Sequence, residues 1–145
     1  MFKRLLIPTD GSKLSEVAIQ KGVQLARSVN APITGLYVIP KFHVLTYRTE
    51  MLEETKEEFA RDSKAHAEKY LAVIAGMAQE YGVACETLSV VNDHPYEAII
   101  QTAKDTDCDL IVMASHGRGG VQSVLLGSQT QKVLAHSKIP VLIYR

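Results

Sequence analysis

The chain has 145 residues, of which 46% are hydrophobic and 22% charged, the proportions of an ordinary globular domain. This length is enough to bury a core, and we expect one domain over residues 1–145. Sixteen basic residues balance sixteen acidic ones, so we expect no nucleic-acid or membrane partner, and any affinity for phosphate must be local.

Short apolar runs alternate with amphipathic stretches along the whole chain. We predict strands at residues 5–7, 33–39, 83–91, 110–114 and 139–144, and helices at 13–28, 50–81, 95–104 and 128–135. This β-α-β-α-β-α-β-α-β order predicts an α/β fold, an open parallel sheet with helices on both faces. In such sheets, ligands bind beyond the carboxyl ends of the strands, where the strand order reverses.

Turn and cap residues separate these elements. Pro8 ends the first predicted strand, Pro40 ends the second, and Gly82 ends the long helix. The tripeptide Asp10-Gly11-Ser12 has the composition of a turn followed by a helix cap. Residues 41–49 show no clear periodicity, so we predict an exposed connection there, which is a candidate lid.

The two cysteines and the amino-terminal residues argue for a reducing compartment. Cys85 and Cys108 lack the spacing of a zinc site or a disulfide framework, and we expect reduced packing residues. The first four residues lead directly into a strand without the pattern of a signal peptide, and no apolar run approaches about 18 residues. We therefore expect a cytoplasmic protein.

Glycines dominate the stretch that follows the fourth strand. Gly117, Gly119 and Gly120 lie within four residues, and Gly127 precedes Ser128 at the start of the last helix. Loop and helix N–H groups that converge at the carboxyl end of a sheet attract phosphate. The alternative is turn geometry alone, with Gly127 at positive φ and Ser128 as an N-cap that forms a capping box with Gln131. That alternative leaves the three earlier glycines unexplained.

This spacing resembles the motif of nucleotide-binding universal stress proteins. Their motif is Gly, two residues, Gly, nine residues, Gly and then Ser or Thr; Gly117, Gly127 and Ser128 match it, while Ala114 replaces the first glycine. Residues 8–12 and 137–145 extend the resemblance over the whole chain. It implies a Rossmann-like sheet with strand order 3-2-1-4-5, a role in the stress response, and ATP bound at the ends of strands one and four. Any Mg²⁺ would be held by the phosphates only.

The same resemblance implies which residues form the nucleotide site. They are Pro8, Thr9, Asp10, Val38, Met113, Ala114, Gly117, Arg118, Gly127, Ser128, Gln129 and Thr130. The Asp10 carboxylate would accept hydrogen bonds from ribose or adenine, although capping of the first helix explains this residue equally well. The backbone of Val38 would meet the adenine edge.

Two other classes of function stay open at this stage. The chain could be an interaction protein that binds no nucleotide, with Ala114 and Gln129 marking an eroded site; the long amide of Gln129 could instead fill the pocket or contact the base. An enzyme is less well supported. Ser115 and His116 lie outside any G-x-S-x-G elbow, and the other histidines lack metal-ligand spacing, so we assign no catalytic and no metal-binding residue.

The last strand, Ile139 to Tyr144, predicts a homodimer. It is apolar on both faces, it joins one edge of the sheet, and only Pro140 limits further pairing. An antiparallel contact of Val141-Leu142-Ile143 with a second copy closes on itself, and the resemblance implies the same contact. The alternative is a monomer whose last strand is shielded by helices. The sequence does not identify a protein partner.

Overall fold

The structure is a computed structural model that describes residues 1–43, 49–117 and 126–145. Its elements are β1 (Leu5–Thr9), α1 (Lys13–Val29), β2 (Ile33–Ile39), α2 (Thr49–Glu80), β3 (Cys85–Val91), α3 (Pro95–Asp105), β4 (Leu110–Ala114), α4 (Ser128–His136) and β5 (Val141–Tyr144). Residues 44–48 of the predicted connection lie outside the described residues, and so does its proposed role as a lid.

The five strands form one parallel sheet in the order β3-β2-β1-β4-β5. The predicted α/β fold and its strand order are therefore confirmed. Helices α1 and α2 cover one face, where they enclose Leu5, Ile19 and Ile74. Helices α3 and α4 cover the other face, around buried residues that include Leu6 and Val133. Full burial of such side chains stabilises a fold by about 1.5–3 kcal/mol each.

Three predicted strand boundaries are wrong, each for a local reason. Strand β1 continues through Pro8 to Thr9 instead of ending at residue 7. Strand β3 begins at Cys85 because the Val83 N–H donates to the Ala78 carbonyl and so completes the turn that ends α2. Strand β5 begins only at Val141 because the Ile139 N–H donates to the Ser137 hydroxyl in a turn.

Pro8 explains why the sheet opens between β1 and β4. These strands pair only at Leu5 with Leu110 and Leu6 with Ile111. The Leu5 N–H donates to Pro32, on the β2 side, and strand residues alternate, so the nitrogen of residue 8 faces β4. Proline has no N–H to donate there. The two strands therefore separate beyond Leu6, and a crevice forms at their carboxyl ends.

Cys85 and Cys108 are both free. Burial raises the pKa of the Cys85 thiol and of the Cys108 thiol above the ordinary value, which favours the protonated form of each. Among the described residues, no helix combines the length and the hydrophobicity that crossing a bilayer requires.

Candidate functional site

A cavity of about 760 Å³ lies at the carboxyl ends of β1, β2 and β4, where α3 and α4 begin. We call it the switch-point cavity. Eleven of the twelve predicted site residues line it: Pro8, Thr9, Asp10, Val38, Met113, Ala114, Gly117, Gly127, Ser128, Gln129 and Thr130. The twelfth, Arg118, lies outside the described residues, as do Gly119 and Gly120. Parallel sheets bind ligands at this kind of position.

The turn between β1 and α1 brings Asp10 to the cavity. The Ser12 N–H donates to Asp10 Oδ1 at 2.9 Å, while Ser12 Oγ accepts the Ser15 N–H at 3.2 Å. Ser12 is therefore the N-cap of α1, and the interpretation of Asp10 as the cap is wrong. Asp10 instead closes the turn, because a carboxylate that accepts an N–H two residues ahead fixes the local backbone.

Gly117 lies close to the Asp10 carboxylate. A Cβ atom built on Gly117 would overlap Oδ2 of Asp10. A larger residue at this position would displace the carboxylate, so glycine lets the β4 loop approach Asp10 this closely. The two loops therefore meet across the crevice that Pro8 opens.

The expected geometry of Gly127 and Ser128 is wrong in three respects. Gly127 has φ −67° and ψ 160°, not a positive φ, and it occupies the N-cap position itself. Ser128 is the first helical residue, and the N-cap Gly127 has no side chain with which to cap α4. No capping box forms, because the Gln131 amide donates to the Leu126 carbonyl at 2.9 Å.

Gly127 forms a hydrogen bond that joins the start of α4 to the loop after β4. Its N–H donates to the Ser115 carbonyl at 2.7 Å, so it is not the phosphate donor that the sequence predicted. A Cβ atom on Gly127 would lie 3.3 Å from His116 Cα and 3.3 Å from the Ser115 oxygen. Residues 128–130 form the first turn of α4, whose N–H groups lack intrahelical partners. These three groups are the anion donors that the helix presents.

Thr130 and Gln129 tie α4 to its neighbours. Thr130 is 3% exposed, and its hydroxyl donates to the Ala114 carbonyl at 3.1 Å. Gln129 Oε1 accepts the Tyr96 N–H at 3.1 Å, in the first turn of α3. Since a backbone N–H can only donate, the amide oxygen of Gln129 is the atom turned towards α3. The start of α4 is thus held between β4 and α3.

A model of the universal stress protein family matches residues 1–145, the whole chain. The chain belongs to the universal stress protein family. It is 33% identical to universal stress protein YxiE of Bacillus subtilis, with all of both chains covered. It is 30% identical to universal stress protein MJ0577 of Methanocaldococcus jannaschii, with 100% of this chain and 96% of that protein covered. A solved structure of MJ0577 has a TM-score of 0.83, covering 99% of this chain and 95% of that one.

Two more distant solved structures hold nucleotides. One is a universal stress protein in complex with cAMP, 24% identical with a TM-score of 0.70, covering 99% of this chain and 97% of that chain. The other is the universal stress protein of Archaeoglobus fulgidus in complex with dAMP, 18% identical with a TM-score of 0.63, covering 100% of this chain and 98% of that chain. At these identities the likeness shows the shared fold alone.

The cavity of this universal stress protein also has lining residues that the sequence analysis missed. They are Ser15, Tyr37, Pro95, Ile99, His116, Leu126, Gln131 and Lys132. Pro95 and Ile99 come from α3, whose approach to the cavity depends on helix packing rather than on a local pattern. Lys132 could have been found, because it follows Ser128 by four residues and so lies on the same helix face.

Ser115 and His116 form a hydrogen bond, but Ser115 is not an exposed nucleophile. Ser115 Oγ lies 3.0 Å from His116 Nδ1. Ser115 is 3% exposed and is not among the residues that line the cavity. Its hydroxyl is therefore poorly placed to attack a bound ligand. Among the described residues, no group of three or more His, Cys, Asp or Glu side chains could hold a metal ion.

Proposed function

We propose that this universal stress protein binds an adenine nucleotide, ATP, in the switch-point cavity. The observation that carries the proposal is the convergence of the first turn of α4, whose N-cap Gly127 has no side chain, on a cavity of about 760 Å³. A volume of this size is typical of pockets for small ligands, and a helix N-terminus favours an anionic group. The cAMP and dAMP complexes of the two relatives support adenine as the base.

The proposal assigns the phosphates to the first turn of α4. Residues 128–130 offer N–H groups that have no partner within the helix, and Lys132 lines the same cavity on this helix. Phosphate oxygens accept from N–H groups and interact favourably with a cation. Arg118 is proposed as a further contact at the rim, from outside the described residues.

The base and the ribose then extend towards β1 and β2. Val38, at the end of β2, offers its backbone carbonyl and N–H to the adenine edge, and the Asp10 carboxylate accepts from the ribose. Pro8, Ile99 and Met113 supply apolar surface around the ring. Any Mg²⁺ is held by the phosphates, since a site of clustered protein ligands is absent from the described part of the chain.

We propose binding without an assigned catalytic residue. The serine beside His116 is buried and is not assigned as a nucleophile. The proposed role is regulatory: occupancy of the cavity alters how the protein associates with partners during stress. The alternative, an interaction protein with an eroded site, predicts that Ala114 and Gln129 obstruct the cavity. The bond from Tyr96 draws the Gln129 side chain towards α3, which supports the nucleotide proposal.

We further propose that β5 pairs with a second copy of the chain. It is an edge strand of the sheet, and Leu142 is 42% exposed. An exposed apolar edge is a template for pairing, and a two-fold antiparallel contact closes on itself. The proposed assembly is a homodimer with two switch-point cavities.

Denaturation of the purified protein tests the proposed function. Protein isolated without added nucleotide is denatured, and the supernatant is resolved by anion-exchange chromatography. We expect an adenine nucleotide in the supernatant. Its absence, together with no effect of added ATP on the melting temperature, would overturn the proposal, because a ligand that binds the native state raises that temperature.

A further inference from the structure

A second cavity, of about 690 Å³, lies between α2 and the edge strand β3. We call it the α2–β3 cavity. It shares none of its described lining residues with the switch-point cavity. The rings of Phe42 and Phe59, 5.4 Å apart, lie at its wall together with Ile39, Leu71 and Val91. Cavities of this size with apolar walls and a few polar groups hold small organic molecules.

Small side chains on one side of α2 create this space. Ala60, Ala67 and Ala75 all line it. Their spacing of seven and eight residues puts them on one helix face. Thr87 and Ser89 face them from β3. An alanine fills little of the gap between a helix and a sheet, so these positions leave space between α2 and β3.

Ser63 gives the cavity a polar group. Ser63 lines the cavity and is only 9% exposed. A serine hydroxyl can donate to an acceptor oxygen, so it can bond to an occupant of the cavity.

The charges at the cavity favour an anion. Among the described lining residues, Lys56 and Lys64 stand against one carboxylate, Glu68. Lys56, Ser63 and Lys64 lie at positions i, i+7 and i+8 of the helix, and therefore on one face. A carboxylate oxygen accepts from both an ammonium group and a hydroxyl. A ligand with an apolar body and one carboxylate thus matches the apolar wall, the two lysines and the Ser63 hydroxyl.

We propose that the α2–β3 cavity is a second binding site and that it takes an apolar carboxylic acid, such as a medium-chain fatty acid. The apolar chain lies against the alanines, Phe59 and Leu71. The carboxylate accepts from Ser63 and pairs with the lysines. This site does not depend on the nucleotide proposal, because the two cavities are separate.

Calorimetric titration with decanoate below its micelle concentration tests the site, with 1-decanol as the uncharged ligand of equal chain length. We expect decanoate to bind at one site per chain and 1-decanol to bind at least about tenfold more weakly, since the lysines act only on the charged ligand. No binding of decanoate, or equal binding of both ligands, would overturn the proposal.

Variants on α2 locate the binding. Ala60→Trp, at an exposed position on the cavity wall, should abolish decanoate binding, because the indole fills the space that the alanine leaves. Lys64→Glu should weaken binding about tenfold, whereas Arg61→Glu, the same charge change on an exposed residue that does not line the cavity, should leave it within about twofold.

Circular dichroism checks that each variant is folded. Decanoate affinity that is the same in Ala60→Trp and the parent would show that the ligand binds elsewhere. A loss in Arg61→Glu as large as that in Lys64→Glu would show a general charge effect. Either result contradicts the proposal.

Discussion

At the scale of single residues, the glycines of the motif hold two loops together. Gly117 and Gly127 both line the switch-point cavity, and the signals that drew attention to them, glycine spacing and an apolar strand, are local. The sequence could not predict that Gly127 donates its N–H to Ser115, since that bond joins two loops whose approach depends on the whole sheet. The close contact between Gly117 and Asp10 could not be predicted for the same reason.

Gly127→Val is expected to weaken ATP binding at least about tenfold. The backbone φ of −67° suits valine, but the new side chain would meet backbone atoms of Ser115 and His116 that cannot rotate away. Overpacking of this kind costs about 1–3 kcal/mol and displaces the start of α4. Gly76→Val is the matched control, because nothing lies within 4 Å of a Cβ atom at Gly76. Equal ATP affinities of Gly127→Val and the parent would refute the role of Gly127.

At the scale of helices and strands, periodicity predicted every element type, and the errors concern element ends. The start of β3 depends on the N–H of Val83, which is used by α2. The separation of β1 from β4 depends on which neighbour the nitrogen of Pro8 faces, and that is known only from the strand order. These are properties of pairs of elements, so the sequence of one element does not contain them.

Replacing either of two glycines of the α2 region by alanine should change the stability of the fold, in opposite directions. Neither has an atom within 4 Å of a new Cβ, but Gly82 has φ +70° whereas Gly76 lies inside the helix. Gly76→Ala should stabilise the fold by about 1 kcal/mol through helix propensity. Gly82→Ala should destabilise it by about 1–2 kcal/mol through left-handed strain. Urea denaturation measures both changes, and changes of the same sign would contradict this explanation.

Asp109 makes the junction of β1 and β4 sensitive to acid. Burial alone would raise its pKa, but the N–H groups of Arg4 and Lys3 donate to the carboxylate, and the net effect lowers the pKa from 3.8. A lowered native pKa stabilises the fold above about pH 4, and this contribution is lost as the pH falls through the native pKa.

Asp109→Asn should therefore reduce the free energy of unfolding by about 1 kcal/mol at pH 7. The difference from the parent should shrink as the pH falls below 3.8. Urea denaturation at several pH values measures it, with Asp62→Asn on the exposed side of α2 as the control. A difference that is constant with pH would show that the charge of Asp109 is not the cause.

At the scale of the whole molecule, the proposed dimer depends on which β5 groups face outwards. The Pro140 carbonyl accepts from Ile111 of β4, and the Tyr144 carbonyl accepts from Ser115, the residue after β4. Strand residues alternate. The N–H groups of Val141 and Ile143 therefore point away from the sheet, while that of Leu142 faces β4. Only the outward groups are available to a second copy.

Val141→Pro should consequently split the dimer, because it removes an outward donor and conserves most of the side-chain volume. Sedimentation at micromolar concentration should show twice the chain mass for the parent and the chain mass for the variant. Leu142→Pro would instead disturb the pairing of β4 with β5 and lower stability. A parent protein that sediments as a monomer over this range would contradict the dimer.

The central claim is that the switch-point cavity binds an adenine nucleotide, and calorimetric titration of the nucleotide-free protein with ATP tests it most directly. The account predicts saturable binding of one ATP per chain. GTP should bind at least about tenfold more weakly, because polar groups that meet the adenine edge would be left unpaired or opposed. A flat ATP titration, or equal binding of GTP, would contradict it.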